Sequence, residues 1–302
     1  MKSQLHLYLK KRVGPFIRTF FILLLCLDMG PPAEAQESSL STASPIPAIQ
    51  TSLPAQPTNR TTPSFFKLSG QIKNESQIQG SQGPQALSQL VLSLIPSLQW
   101  KEIRLSVASE LTKEQQGKQK LSVSDTKVSL GHKPLTLSKG LTTQAKVSYI
   151  AATNEDSIKQ DRLRAGASVE PSIRQELQLG VPVTLDYRLG FRQNFHEYNV
   201  NADGNANIQW VFSHVVGVTV GVMEDLEISI AGLWRTARTY KNFERLGFGL
   251  SEEISWGVSK NWNLFLGHSN EGSLQPAERQ NSSLKAFDDK SSVIYGGFGW
   301  DF

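Results

Sequence analysis

The fold class that the sequence predicts is all-β: a transmembrane, antiparallel, up-and-down β-barrel of about 12 strands. Three observations predict it. Twelve segments alternate between apolar and polar residues with a period of two. Most of them reach the roughly 9–11 residues that a tilted strand needs to cross a bilayer, whereas strands of soluble proteins more often run to about five or six. The connections between them take turns between tight and long. No apolar period of a helix persists long enough to compete.

The chain opens with Lys10, Lys11, Arg12 and Arg18, then the apolar run TFFILLLCL, then Gly30-Pro31-Pro32 and Ala33-Glu34-Ala35. A basic region, a short apolar core and an A-x-A site make residues 1–35 a secretory signal peptide cut after Ala35. The apolar run is about half of the roughly 20 residues that a spanning helix requires. Cys26 would serve a lipid anchor only in a weak context, because Leu25 stands where lipoprotein signals carry a small residue. Residues 1–35 hold five Lys or Arg and two acids, so three of the four formal positive charges leave with the signal. A near-neutral mature chain without a basic, aromatic-studded cluster has no electrostatic footprint for nucleic acid. Cys26 is the only cysteine, which excludes a disulfide framework, thiolate chemistry and a cysteine zinc site in the mature protein. Residues 36–63, rich in Ser, Thr, Pro and Gln, are predicted to be a disordered linker, and residues 64–302 the barrel.

The predicted strands are 65–75, 88–100, 102–112, 122–132, 142–153, 162–179, 182–198, 206–222, 225–238, 246–259, 261–270 and 292–302. The clearest runs from Pro182 to Asn194, where Val183, Leu185, Tyr187, Leu189 and Phe191 alternate with Thr184, Asp186, Arg188, Gly190 and Arg192. Tight spacers occur near Lys101-Glu102, Gly180-Val181, Met223-Glu224 and Lys260-Asn261. Long polar ones, such as HEYNVNADGNAN and EGSLQPAERQNSSLKAFDDKS, occur in between. KPLTLSKGL is the one connection on the short side that is not tight. The segment 122–132 alternates poorly, so eight or ten strands are alternatives to twelve. An even number returns the chain to its starting side.

Tryptophans give an independent check, because aromatic rings gather at the two membrane interfaces. Trp100, Trp256, Trp262 and Trp300 fall near strand ends on the short-turn side, Trp210 and Trp234 near the other ends, and all six lie on the apolar parity. At the C-terminus Ile294, Gly296, Phe298, Trp300 and Phe302 share one parity, and the chain ends on an aromatic residue in a strand. In this it resembles Gram-negative outer-membrane β-barrel proteins, porin-like ones included, whose last strand carries such a pattern up to a terminal Phe. The resemblance implies an outer-membrane location, lipid as surroundings, and recognition of Phe298, Trp300 and Phe302 by the barrel-assembly machinery.

Parity then assigns the lumen. Lys67, Lys73, Arg104, Lys127, Lys146, Arg164, Arg174, Arg188, Arg192 and Arg235 should point inward with Glu110, Glu170, Glu176, Asp186, Glu227, Glu253 and Asp301. A ring of charge can tune the ion preference of a water-filled pore, or its members can pair and fill a narrow interior. Arg188 and Arg192 on one strand, with Arg164 and Arg174 on the strand before, suggest a track for an anionic solute, since the guanidinium fork suits carboxylates. Some twelve-stranded porins for acidic oligosaccharides carry such tracks.

LFLGHSNEG places His268, Ser269 and Asn270 together, which invites comparison with the lipid-facing hydrolase among twelve-stranded barrels, whose Ser, His and Asn lie on the outer wall with His and Ser two residues apart. Here the Ser next to His268 has the opposite parity, so the nucleophile and its base would not meet. His268 is expected at an exposed rim, and His214 on the outward face. Asn201, Asp203 and Asn205, or Asp288 with Asp289, offer oxygen ligands but match no full calcium loop. No nucleotide or zinc motif and no cofactor site is present in the sequence, and the matches to N-x-[ST] at Asn59, Asn74 and Asn281 carry little weight. The function expected is a narrow passive pore for small hydrophilic solutes, anionic ones included. The alternatives are a structural or adhesive barrel acting through its long loops, and the hydrolase.

Overall fold

Alternation gives every strand two faces, and the hydrogen-bond registers decide which face closes inward. The computed structural model describes residues 65–77, 88–115, 119–273 and 292–302. The signal, the linker, Cys26, Asn59, Asn281, Asp288 and Asp289 lie outside the described residues.

Fourteen strands belong to one sheet. They are β1 (Phe66–Gln77), β2 (Ser88–Trp100), β3 (Ile103–Glu114), β4 (Leu121–Val123), β5 (Thr126–His132), β6 (Leu135–Ser138), β7 (Leu141–Ala151), β8 (Leu163–Gln178), β9 (Pro182–His196), β10 (Ile208–Met223), β11 (Leu226–Thr239), β12 (Glu244–Ser259), β13 (Trp262–Ser273) and β14 (Ser292–Asp301). A helix of five residues, α1 (Glu155–Lys159), sits between β7 and β8. All pairings are antiparallel and join chain neighbours except β3–β5 and β5–β7, which skip the short β4 and β6, and β14 also pairs with β1, so the sheet closes on itself.

The wall has twelve strands because β4 and β5 lie end to end along β3, while β6 is a short arm on β7 at the short-turn end. The break between β4 and β5 explains the poor alternation of residues 122–132. Ser124 leaves the ladder there, accepting on its Oγ from the Glu110 amide at 2.9 Å and donating its own amide to the Glu110 carbonyl.

Leu98, Leu105, Leu130, Val147, Ile173, Leu185, Val216, Ile230, Ile254, Leu266 and Ile294 all project outward and are exposed. Exposed apolar surface that encircles a closed sheet is what a barrel presents to hydrocarbon, and closure leaves no backbone edge unpaired there. The inward positions hold small and polar residues, among them Ser129 and Ser148 hydroxyl to hydroxyl at 2.9 Å. They also hold a buried apolar set: Val91, Ile150, Val211, Val215, Leu233 and Phe265. The lumen is thus partly filled rather than uniformly polar, as the scale of small barrels allows.

The closing seam explains the C-terminus. Phe302 exchanges backbone hydrogen bonds with Leu68 at 2.7 and 2.9 Å, so the ladder between β14 and β1 continues to the last residue. Outside it, the Trp262 ring contacts Phe298, Trp300 and Phe302 at centroid distances of 5.9, 6.1 and 5.6 Å, and the Trp300 indole lies over Gly70, where a Cβ would collide with it. Gly297 has the same role inward: a Cβ there would fall on the Ile72 carbonyl oxygen.

Candidate functional site

The inner wall carries ion pairs in a repeated arrangement, one carboxylate held by two cations. On β8, Glu170 receives Lys127 from β5 on Oε1 and Lys146 from β7 on Oε2, the latter at 2.8 Å. On β9, Asp186 receives Arg188 Nε at 2.9 Å and Arg174 Nε at 3.6 Å. Arg192, four residues further, donates to Asn194 Oδ1 at 2.6 Å, a neutral partner. These residues meet because β7, β8 and β9 are in registers that set Lys146 opposite Glu170 and Arg174 opposite Asp186. The β5–β9 wall therefore shows five cations against Glu170, Glu176 and Asp186.

The facing wall is of the opposite sign. Arg235 is buried and lies 3.7 Å from Glu271. Glu253 accepts from the Tyr295 hydroxyl at 3.2 Å, and Lys73 bridges to Glu75 at 2.6 Å while its ammonium sits 5.9 Å from the Tyr295 ring centroid. Asp301 accepts from Ser69. Of the other inward residues, Arg104 donates to Ser97 at 3.1 Å, Glu110 accepts from Ser93 at 2.6 Å, and Lys67 faces Ser97 across the β1–β2 ladder.

Two cavities flank the Glu170 level. The larger, about 500 Å³, opens in the short-turn half and is lined by Arg174 and Arg188 together with Glu176, Asp186, Glu224, Glu227 and Glu253. Its lining is acidic, five carboxylates against two arginines; Glu176, Asp186, Glu227 and Glu253 are on the inward face as parity assigned them, and Glu224 comes from the turn. The smaller, about 80 Å³, lies in the long-loop half against Arg192, His196, Asp125 and Asp161.

Over that smaller cavity two long connections knit together. Asn154 caps α1, accepting from the amides of Asp156 and Ser157. Asp125 takes the amides of Thr153 and Asn154 on Oδ1 and the Ser157 hydroxyl on Oδ2. Asn207 Nδ2 donates to the carbonyls of Asp161 at 2.8 Å and Tyr198 at 2.9 Å, and the Ala202 amide donates to the Gln160 carbonyl. Burial, reinforced by Asp125, Asp156 and Asp203, raises the pKa of Asp161. Asn201 Oδ1 accepts the amides of Asp203 and Asn205, a turn-forming use of this trio. No group of three or more His, Cys, Asp or Glu placed to hold a metal ion occurs among the described residues.

Arg164 departs from its expected place. A register shift between Leu163 and Ala165 turns it out to the rim, where its side chain is 68% exposed and bonds Glu197 at 2.7 Å. The track of four arginines is therefore three, two of which share Asp186. All six tryptophans project from the outward face, with Trp100, Trp234, Trp256 and Trp262 exposed.

His268 is not at a rim. It stands six residues along β13 from Trp262, and its Nδ1 is 3.8 Å from the Glu252 carboxylate on β12. Ser269 pairs with Ser251 on the inward face, away from His268 and Asn270. His214 is outward, as expected, with a partner the sequence did not reveal: Nδ1 is 2.9 Å from the Tyr187 hydroxyl, and the ring packs edge-on against Phe212. Glu252 was overlooked, yet the signal was present. In a strand, the doublet Glu252-Glu253 must send one carboxylate outward.

No protein-family model matches the chain, and no curated protein matches it. Solved structures do. An outer membrane channel from Pseudomonas putida F1 superposes with a TM-score of 0.56 at 8% identity, covering 80% of this chain and 97% of that one. The NanC porin gives 0.50 at 11%, covering 77% and 98%, and the KdgM porin 0.46 at 11%, covering 78% and 99%. At such identities the likeness concerns the fold, a closed twelve-stranded barrel of the porin type.

Proposed function

We propose that the protein is an outer-membrane pore for passive diffusion of small hydrophilic solutes, with a slight preference for anions. A cleaved signal would carry it to the periplasm, and the short-turn end would face that compartment, with the long loops outside. One observation carries the reading: a closed barrel encloses a cavity of about 500 Å³ lined by charged side chains, and beyond it a level where Lys127, Lys146 and Arg192 outnumber Glu170. Closure satisfies the backbone in lipid, and an ionic lining stabilises water and solute within. In this reading the cationic level rather than the acidic cavity sets selectivity, because fixed charges between low-dielectric walls concentrate the field felt by a passing ion. That the outer membrane channel and the NanC porin named above share the fold supports the same class of activity.

The test is single-channel recording of the refolded mature chain in a planar bilayer under a salt gradient. Discrete steps with a reversal potential of anionic sign are expected, and neutralising Arg192 should move that potential toward zero, more than neutralising Arg188 in the acidic cavity does. A folded barrel that passes no current would refute the pore and direct attention to the long-loop cap as a docking element.

A further inference from the structure

The larger cavity is divided by sign. One bank carries Arg174 on β8 and Arg188 on β9; the other carries Glu227 on β11 and Glu253 on β12, with no cation among the lining residues of that side. Between them the floor is made of small side chains, Gly217 opposite Ala231 and Thr219 opposite Ser229 on β10 and β11. From β8 to β11 is three strand spacings, about 14 Å along the wall, and nothing large stands in that interval to fill it. The volume of about 500 Å³ is that of a pocket for a small molecule.

Each bank keeps hydrogen-bonding capacity that the protein leaves unused. Asp186 engages both arginines through Nε, at 2.9 Å for Arg188 and 3.6 Å for Arg174, and their terminal nitrogens donate no hydrogen bond among the described residues. The carboxylate thus steadies the two stems, while the outer edge of each guanidinium, which suits a second carboxylate, stays available. Opposite, half-buried Glu227 has no hydrogen bond and no ion pair among the described residues. Glu253 is buried and gives Oε2 to the Tyr295 hydroxyl at 3.2 Å, which leaves Oε1. Arg174 acts on Glu227 through space without touching it. Opposite charges that feel each other but are held apart frame a gap for a guest that carries both signs.

We propose that this cavity binds small zwitterions with one carboxylate and one ammonium group, the chemistry of a free amino acid. The carboxylate of the guest accepts from the terminal nitrogens of Arg174 and Arg188, and its ammonium group donates to Glu227 and Glu253. As the solute class of the channel, this rests on the pore reading and narrows it. The two charged levels of the lumen act in the same sense. A solute with a carboxylate alone meets five carboxylates against two arginines in the cavity; one with an ammonium group alone meets Lys127, Lys146 and Arg192 against Glu170 beyond it. A zwitterion has no net charge to be repelled at either level, and discrimination of this kind comes from repelling the competitors as well as from holding the guest.

The test follows binding of alanine, lactate and alaninamide to the refolded mature chain in detergent micelles by ligand-observed NMR, at about pH 7 and low salt. The three are of nearly one size; lactate lacks the ammonium group and alaninamide the carboxylate. Alanine is expected to bind at least about tenfold more tightly than either, the worth of one charged hydrogen bond. Glu227→Gln and Arg174→Gln should each weaken alanine by about tenfold, whereas Arg164→Gln at the rim should not. Heat-dependent gel mobility verifies that each barrel is closed, and Glu253→Gln and Arg188→Gln take their place if either variant fails to fold. Absence of alanine binding, equal binding of all three solutes, or alanine binding unmoved by Glu227→Gln would overturn the proposal even where the channel conducts salt. A barrel that discriminates among the three yet passes no current would keep the site and overturn the pore.

Discussion

Removing the charge of Glu170 should both weaken the barrel and sharpen its preference for anions. The carboxylate uses both oxygens, one for Lys127 and one for Lys146. In Glu170→Gln the two ammonium groups stay near each other, about 5 Å apart if each keeps its hydrogen-bond geometry. At an effective dielectric of about 20 their repulsion is about 3 kcal/mol. Each lysine is 31% exposed to the lumen, so water screens part of this, and lysine stems can swing apart. The expected loss is about 1–3 kcal/mol, read from denaturant unfolding in lipid vesicles by tryptophan fluorescence. The inner wall at this level gains one net positive charge, so the reversal potential in a salt gradient should move further in the anionic direction. Adding Lys127→Met removes the repulsion, and the double variant should regain most of the lost stability. Were Glu170→Gln within about 0.5 kcal/mol of the native chain, or the double variant no more stable than the single, the two-on-one clamp would not be a structural element and the argument from it would fail.

Three further outcomes follow from other parts of the wall. Gly297→Val would drive a side chain into the Ile72 carbonyl at the closing seam; it should cost about 3 kcal/mol or more and abolish heat-dependent gel mobility, while Gly217→Ala, whose Cβ meets nothing nearer than 3.7 Å, should not. Asn207→Ala removes two hydrogen bonds that join the long connections, about 2 kcal/mol locally, and should speed hydrogen exchange at the amides of Ala202 and Tyr240, which donate within that network. Asp161 has a raised pKa from burial and three neighbouring carboxylates, so the folded cap holds its proton more tightly than the unfolded segment does. Stability is then present at low pH and falls as pH rises from the ordinary carboxylate range through the raised value. Amide protection in the cap should be higher at about pH 4 than at about pH 7, and Asp161→Asn should flatten the difference.

Much of this architecture was legible because a strand writes its two faces into alternate residues. All twelve wall strands overlap their predicted segments, and the terminal Phe302 proves to be part of the ladder. What parity could not supply is local irregularity and partnership. The shift before Ala165 and the break at Ser124 each alter a face without changing the character of the residues around them, so Arg164 read as inward and residues 122–132 read as doubtful. His268 read as a rim residue because a sequence gives distance from a predicted loop, not depth relative to the girdle on the next strand.

Partnership depends on register, and a register slip of two residues preserves every parity argument. For β8 and β9 the observed register sets Arg174 opposite Asp186 and Glu176 opposite Thr184. Sliding β9 by two in one direction would set Arg174 opposite Arg188 and Glu176 opposite Asp186. The apolar face would be as well buried in lipid as before, yet two like-charge pairs would stand directly across the ladder, which is destabilising. The ion clamps inside the lumen therefore select among arrangements that hydrophobicity leaves equivalent. The same side chains that would tune conduction also fix how the wall is assembled, so charge-neutralising variants aimed at selectivity need the unfolding measurement beside the electrical one.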